Sequence, residues 1–225
     1  MSEPLPAELD VAGAVVAAEG TRLLLCRHGQ TAMNAQSRYQ GQIDAPLDAT
    51  GRTQAAALAV RLAGERIDAA VSSDLRRAAQ TAAIALGERK LPVAWDARLR
   101  EAAFGRWEGL NFAEIEQRYP ADAAARRADP VRFAIPGGGE SLLDVAVRAA
   151  AFLREALPQH AGQSLLLVAH GGTLNSLLTV LLRLPLSSWS RLRNHNANLS
   201  MLDILQGRPR LLIFNETWHL EEQVP

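Results

Sequence analysis

The chain has 225 residues, 48% of them hydrophobic and 5% aromatic, enough for one large α/β core or two small ones and too apolar for disorder. Lys plus Arg balance Asp plus Glu at 24 each, so no global field draws it to nucleic acid or an anionic membrane. Any anion binding must come from a local arginine cluster. The single cysteine, Cys26, excludes an intrachain disulfide framework and fits a reducing compartment, which makes the cytoplasm the expected location.

The first stretch, residues 1–20, carries an apolar patch at Val11–Ala18 among acidic residues and has no Lys or Arg. It lacks the basic region of a secretory signal and reads as a leader, poorly ordered or loosely docked, ahead of a domain over residues 21–225. No apolar run approaches the ~20 residues of a membrane span. Arg22–Cys26 (RLLLC) is a buried strand that stops at Arg27-His28-Gly29. Thr50–Leu62 has helical spacing with Thr50 as its N-cap. Ala69–Val71 is a second strand, ending at Ser72-Ser73-Asp74, and Leu75–Leu86 a second helix. Pro92–Trp95 is a third strand.

From Glu101 to Gly139 the pattern is irregular, with short helices at Asn111–Arg118 and Ala121–Arg127 and a break at Pro136-Gly137-Gly138-Gly139. Glu140–Leu157 is a long amphipathic helix closed by Pro158. Ser164–Ala169 (SLLLVA) is the strongest strand and runs into His170-Gly171-Gly172, before a helix over Thr173–Leu182. Leu199–Leu205 and Arg210–Asn215 flank Gly207-Arg208-Pro209 as a C-terminal hairpin. The order predicts a single three-layer α/β/α domain: a mostly parallel sheet, one antiparallel edge.

Ligands of open α/β sheets bind at the carboxyl ends of strands. Two of the best strands end in His-Gly, and a third is followed by Arg76-Arg77, so the pattern gathers two imidazoles and two guanidiniums at one crevice. That chemistry fits phosphoryl transfer. Guanidinium forks and helix N-termini hold a phosphate dianion, and a neutral imidazole is a competent nucleophile near pH 7. Loss of an alkoxide requires a proton donor, hence a carboxylic acid nearby.

RHGQT with Asn34 (Arg27–Asn34), Arg38-Tyr39-Gln40-Gly41, Pro46-Leu47, SSDLRRAAQTA (Ser72–Ala82), LREAAFGRWEGL (Leu99–Leu110), GGES (Gly138–Ser141) and VAHGGTLNSLL (Val168–Leu178) occur in that order. Together they resemble the histidine phosphatase superfamily, also called phosphoglycerate mutase-like. The resemblance implies that His28 is the phosphorylated nucleophile. It implies that Arg27, Asn34, Arg77 and His170 hold the phosphoryl oxygens, and that Glu101 protonates the leaving oxygen and then activates water. Arg77 is preferred to Arg76 because it directly precedes Ala78. Thr31, Arg38 and Gly41 fall where the family lines the substrate entrance, and Gly171 belongs to the binding set. No metal and no cofactor are expected, since the arginines and histidines supply the positive charge.

Each assignment has a plainer competitor. Arg77 alone would be a surface arginine pairing with Asp74, and Glu108 competes with Glu101 for the acid role. Trp107 and Cys26 read as packing residues, His160 and His195 as surface residues, His219 as structural. Trp95, Trp107, Tyr119, Arg132 and Phe133 are candidate walls of the outer pocket. The expected function is a phosphomonoesterase acting through a phosphohistidine on a sugar phosphate, a phosphoglycerate derivative or ribazole phosphate, as a monomer or homodimer. A cofactor-dependent phosphoglycerate mutase is the first alternative: Arg126-Arg127 lie in the right region, but the proline run of mutases is absent. A non-catalytic phosphate-binding module is the second; such modules lose the nucleophile or the acid, and both are present here.

Overall fold

The computed structural model describes residues 6–221. Its strands are Arg22–Arg27 (β1), Ala69–Ser72 (β2), Val93–Trp95 (β3), Ser164–Ala169 (β4), Leu199–Leu205 (β5) and Arg208–Glu216 (β6). The α-helices are Ala12–Ala17 (α1), Ala32–Ala35 (α2), Ala49–Leu62 (α3), Arg76–Leu86 (α4), Phe112–Arg118 (α5), Pro120–Ala128 (α6), Leu142–Gln159 (α7), Gly171–Leu181 (α8) and Trp218–Glu221 (α9). The sheet has the order β3-β2-β4-β1-β5-β6. The first four positions are parallel, and β5 and β6 form the antiparallel edge.

Side chains alternate across a strand, so continuous apolar runs fill both faces of the sheet. Leu23, Leu25, Leu165, Leu167 and Ala169 join one core with α7 and α8. Leu24, Cys26, Leu166 and Val168 join the other with α3 and α4. The result is one three-layer α/β/α domain. Cys26 is buried packing, as expected. A third, smaller cluster of Trp107, Ile115, Ala123 and Ile135 holds the irregular excursion together.

The expected loose leader is corrected by the structure. Leu9, Val11, Val15 and Ala18 are buried in the same core as α7. The Arg154 guanidinium donates to the Glu8 carbonyl at 2.7 Å, and the Glu19 carboxylate accepts the N–H groups of Gln206 and Gly207 at 2.9 and 3.0 Å. Apolar residues at 11, 14, 15 and 18 follow a helical period, and α7 offers the surface that buries them. The leader's residues 1–5 lie outside the described residues.

Several boundaries move for local reasons. Asp48, not Thr50, caps α3, its carboxylate accepting from Gly51 N at 2.7 Å. Ser141 caps α7 in a capping box with Asp144, so that helix begins after Glu140. Pro158 sits inside its last turn rather than after it.

Candidate active site

β1 and β4 are neighbours in register, Arg27 opposite Ala169. The chain leaves β1 toward α3 on one face of the sheet and leaves β4 toward α8 on the other. Diverging connections from adjacent parallel strands open a crevice at their carboxyl ends. His28 and His170 are each the first residue beyond their strand, and His28 N donates to the Ala169 carbonyl at 3.0 Å. Their ring centroids lie 5.0 Å apart, tilted by 56°. Pairing of β2 with β4 brings Ser73 to the same edge, its N–H on the Val168 carbonyl at 2.9 Å.

The partners of the rings decide their tautomers. His28 Nδ1 lies 2.7 Å from the Gly29 carbonyl, which only accepts, so Nδ1 carries the proton and the lone pair of the neutral ring is on Nε2. Among the described residues nothing is bonded to that Nε2. Burial, then the charges of Arg27 and Arg77, hold the His28 pKa well below its ordinary value. The ring is therefore neutral at neutral pH. His170 is the reverse: its Nδ1 accepts from Arg77 Nε at 3.2 Å, so Nε2–H donates to Ser73 Oγ at 2.8 Å. Burial, followed by Arg77, keeps it neutral too.

The arginines are built in rather than laid on the surface. Arg77 is 1% exposed and donates to His170 and to the carbonyls of Ile43 and Gly41 at 2.8 and 2.7 Å. Its competitor partner, Asp74, binds Arg100 instead. Burial pushes the Arg77 guanidinium down to about 10, opposed by Glu101. Arg27 donates one Nη1–H to the Asn194 carbonyl at 2.7 Å, while its fully shielded Nε has no partner. It too is lowered by burial and opposed by Glu101. Two buried guanidiniums thus face one shared carboxylate, an arrangement that a phosphate dianion would relieve.

A cavity of about 240 Å³ opens here, lined by Arg27, His28, Asn34, Arg38, Gly41, Arg77 and Glu101 among others. The Asn34 side-chain oxygen accepts from Thr31 N at 3.2 Å and from Asn196 Nδ2 at 3.3 Å, leaving its amide nitrogen for the pocket. Glu101 accepts from Ala102 N and from Gly172 N, at the start of α8. Glu108 accepts from Gln42 N and Phe104 N, bracing the loop around Gly41. Gly41 itself has φ +54°, a conformation that favours glycine.

Three assignments need correction. His170, expected to hold the phosphoryl oxygens, does not line the cavity: it is fully buried and both its ring nitrogens are taken, by Arg77 and Ser73. Thr31 does not line the cavity: it is fully buried, its hydroxyl donates to Gln40 Oε1 at 2.9 Å and it caps α2. Gly171 is not among the lining residues either; it packs beside the Arg27 guanidinium. Arg38 lines the cavity, as expected, with its charge bound by Glu114 at 2.7 Å. Of the proposed outer walls, Trp95 is exposed on the far edge strand, Tyr119 lies under Arg106, Phe133 packs with Trp107, and Arg132 is absent from the lining. The walls are Ser37, Tyr39, Gln40 and Phe104. Tyr39, Gln40 and Ser73 stood inside motifs of the sequence, so the signal was present; nothing in the sequence marked Asn196. His160 is half-buried and His195 exposed, and His219 is tied to the Ala197 carbonyl at 2.9 Å.

Comparison with known proteins gives a consistent result. Residues 23–217 match the family model of the histidine phosphatase superfamily, branch 1. A glucosyl-3-phosphoglycerate phosphatase of Mycolicibacterium vanbaalenii is 44% identical over 176 residues, covering 75% of this chain and 77% of its own. Phosphoserine phosphatase 1 of Hydrogenobacter thermophilus is 32% identical over 89% of this chain and 95% of its own. The crystal structure of the alpha-ribazole phosphatase from Shigella flexneri superposes with a TM-score of 0.80 at 34% identity, covering 87% of this chain and 96% of its own. With the two histidines, two arginines and one carboxylate gathered as described, the chain belongs to the histidine phosphatase superfamily and is a phosphoric monoester hydrolase.

Proposed function

We propose that His28 Nε2 takes the phosphoryl group from a small, hydroxyl-rich phosphomonoester and passes it to water. The N–P bond forms as the ester P–O bond breaks, and the acid form of Glu101 gives its proton to the leaving oxygen. Water then attacks phosphorus, the N–P bond breaks, and a proton of that water returns to Glu101. The sum is ester plus water giving alcohol plus phosphate. Arg27, Arg77 and the Asn34 amide stabilise charge on the equatorial oxygens. His170 serves by fixing Arg77 through its Nδ1.

The observation that carries this reading is the free Nε2 of a neutral, buried His28 in a cavity lined also by Arg27, Arg77 and Glu101. Hydrolysis is favoured over mutase action because a mutase must hold a second anion, and Arg38 at the pocket mouth is neutralised by Glu114. Tyr39, Gln40 and Ser37 offer an aromatic face and polar groups to a polyol or sugar. The mycobacterial relative's action on a glucosyl phosphoglycerate supports that class.

The test is turnover of p-nitrophenyl phosphate in EDTA between pH 5 and 8, with acid quenching to trap the phosphoenzyme. His28→Ala should lose both turnover and the acid-labile adduct. An adduct surviving in that variant rejects the nucleophile. A metabolite panel with glucosyl-3-phosphoglycerate, 3-phosphoglycerate, phosphoserine and ribazole phosphate, scored for free phosphate and for mutase product, assigns the substrate.

A further inference from the structure

We infer that Gly172 is a positioning residue: its missing side chain is the space in which the Glu101 carboxylate docks. A Cβ built on Gly172 would stand 2.3 Å from Glu101 Oε1 and 3.2 Å from Glu101 Cδ, and no atom outside Glu101 is among its three nearest neighbours. Real Cβ atoms essentially never approach so closely, so one side must yield.

The backbone of Gly172 is held. Its carbonyl accepts Trp189 Nε1–H at 3.0 Å and the Ser176 hydroxyl at 3.1 Å, and its own N–H lies on Glu101 Oε2 at 3.1 Å. The carboxyl group is the far end of a flexible side chain, held in place by that N–H and by Ala102 N on Oε1 at 2.9 Å. The carboxylate moves. Displacing Oε1 breaks its bond to Ala102 and carries the acid away from the place where it lines the cavity.

Two consequences of Gly172→Ala have opposite signs. The position is inside α8 and needs no positive φ, so alanine favours the helix and the fold tolerates it. The proton donor is misplaced by about an ångström, an error of the size that costs roughly a hundredfold in rate. The chain is therefore as stable as before, or more so, and a poorer catalyst.

This inference rests on Glu101 as the acid, and the experiment separates the two. Native protein, Gly172→Ala, Glu101→Ala and the double variant are compared on p-nitrophenyl phosphate and on phenyl phosphate, whose leaving oxygen is far more basic. Gly172→Ala should lose ten- to a hundredfold of kcat/KM on phenyl phosphate and less than threefold on p-nitrophenyl phosphate, with an unchanged or higher Tm. In the Glu101→Ala background, where the space is empty, it should cost less than twofold on either ester. A full loss in that background overturns the inference, as does native activity of Gly172→Ala on phenyl phosphate while Glu101→Ala shows the selective defect. Equal loss on both esters in Glu101→Ala overturns the acid reading and the inference with it.

Discussion

Asn34→Asp is the sharpest single change available at this site, because it alters charge while leaving shape alone. The Asn34 oxygen is held by Thr31 N–H and by Asn196 Nδ2, so the amide cannot turn without losing both. Aspartate would keep those bonds with one oxygen and present the other where the amide nitrogen was. Alanine at the same position removes the donor, a change worth about 10²–10³ in kcat, together with the oxygen that Thr31 N and Asn196 Nδ2 hold. Aspartate removes the donor and adds repulsion of about 4 kcal/mol per unit charge, taking ~4 Å and an effective dielectric of ~20. Shielding by Arg27 and Arg77 reduces this, and a further loss of tenfold or more relative to alanine remains. The assay is kcat/KM at pH 7 for native protein, Asn34→Ala and Asn34→Asp, alongside Tm. The expected order is native, alanine, aspartate, with the aspartate variant melting close to native and regaining activity as pH falls and its carboxyl protonates. An aspartate variant as active as alanine at pH 7 would refute the reasoning about the amide's orientation.

Stability should fall on acidification through pH 6.5, because His28 and His170 are buried with pKa values held well below that of the unfolded chain. The unfolded state binds more protons below pH 6.5, so stability rises with pH up to there and is flat above; the slope reaches at most about 2.7 kcal/mol per pH unit for the pair. Urea midpoints at pH 5 and 7 measure it, and a native midpoint independent of pH would contradict the burial of the two rings. The acid limb of kcat/KM owed to His28 should likewise lie well below pH 6.5; a limb at the ordinary histidine value would count against a buried nucleophile. Leu9→Ala empties a fully buried position in the segment before β1. It should cost about 2–5 kcal/mol and lower Tm by roughly 5–15 °C, leaving kcat unchanged, whereas a Tm shift under about a degree would mean that the segment is not docked.

Much of the site was legible because its residues stand at strand ends. An apolar run interrupted by Arg27-His28-Gly29, and another by His170-Gly171-Gly172, carry their own boundary, and a parallel α/β order puts such boundaries on one edge. Arg77 and Glu101 were reached only through the order of motif blocks, since nothing local tells Arg77 from Arg76. The structure separates them by burial: Arg77 is enclosed and Arg76 exposed. Thr31 and Gly171 went astray for the converse reason. Each stands within a motif, yet one turns inward to cap a helix and the other to pack on Arg27.

Sequence alone determined the periods, the punctuation and the chemistry: which segments bury both faces, where strands stop, and which side chains bear charge there. Those are properties of neighbours along the chain. Tertiary structure alone decided which guanidinium atoms stay unsatisfied, where Glu101 docks, and that Leu9, Val11, Ala14, Val15 and Ala18 belong to the core. Each depends on atoms far apart in sequence, as Asn196 is from Asn34 and Gly172 from Glu101, and only folding sets those distances.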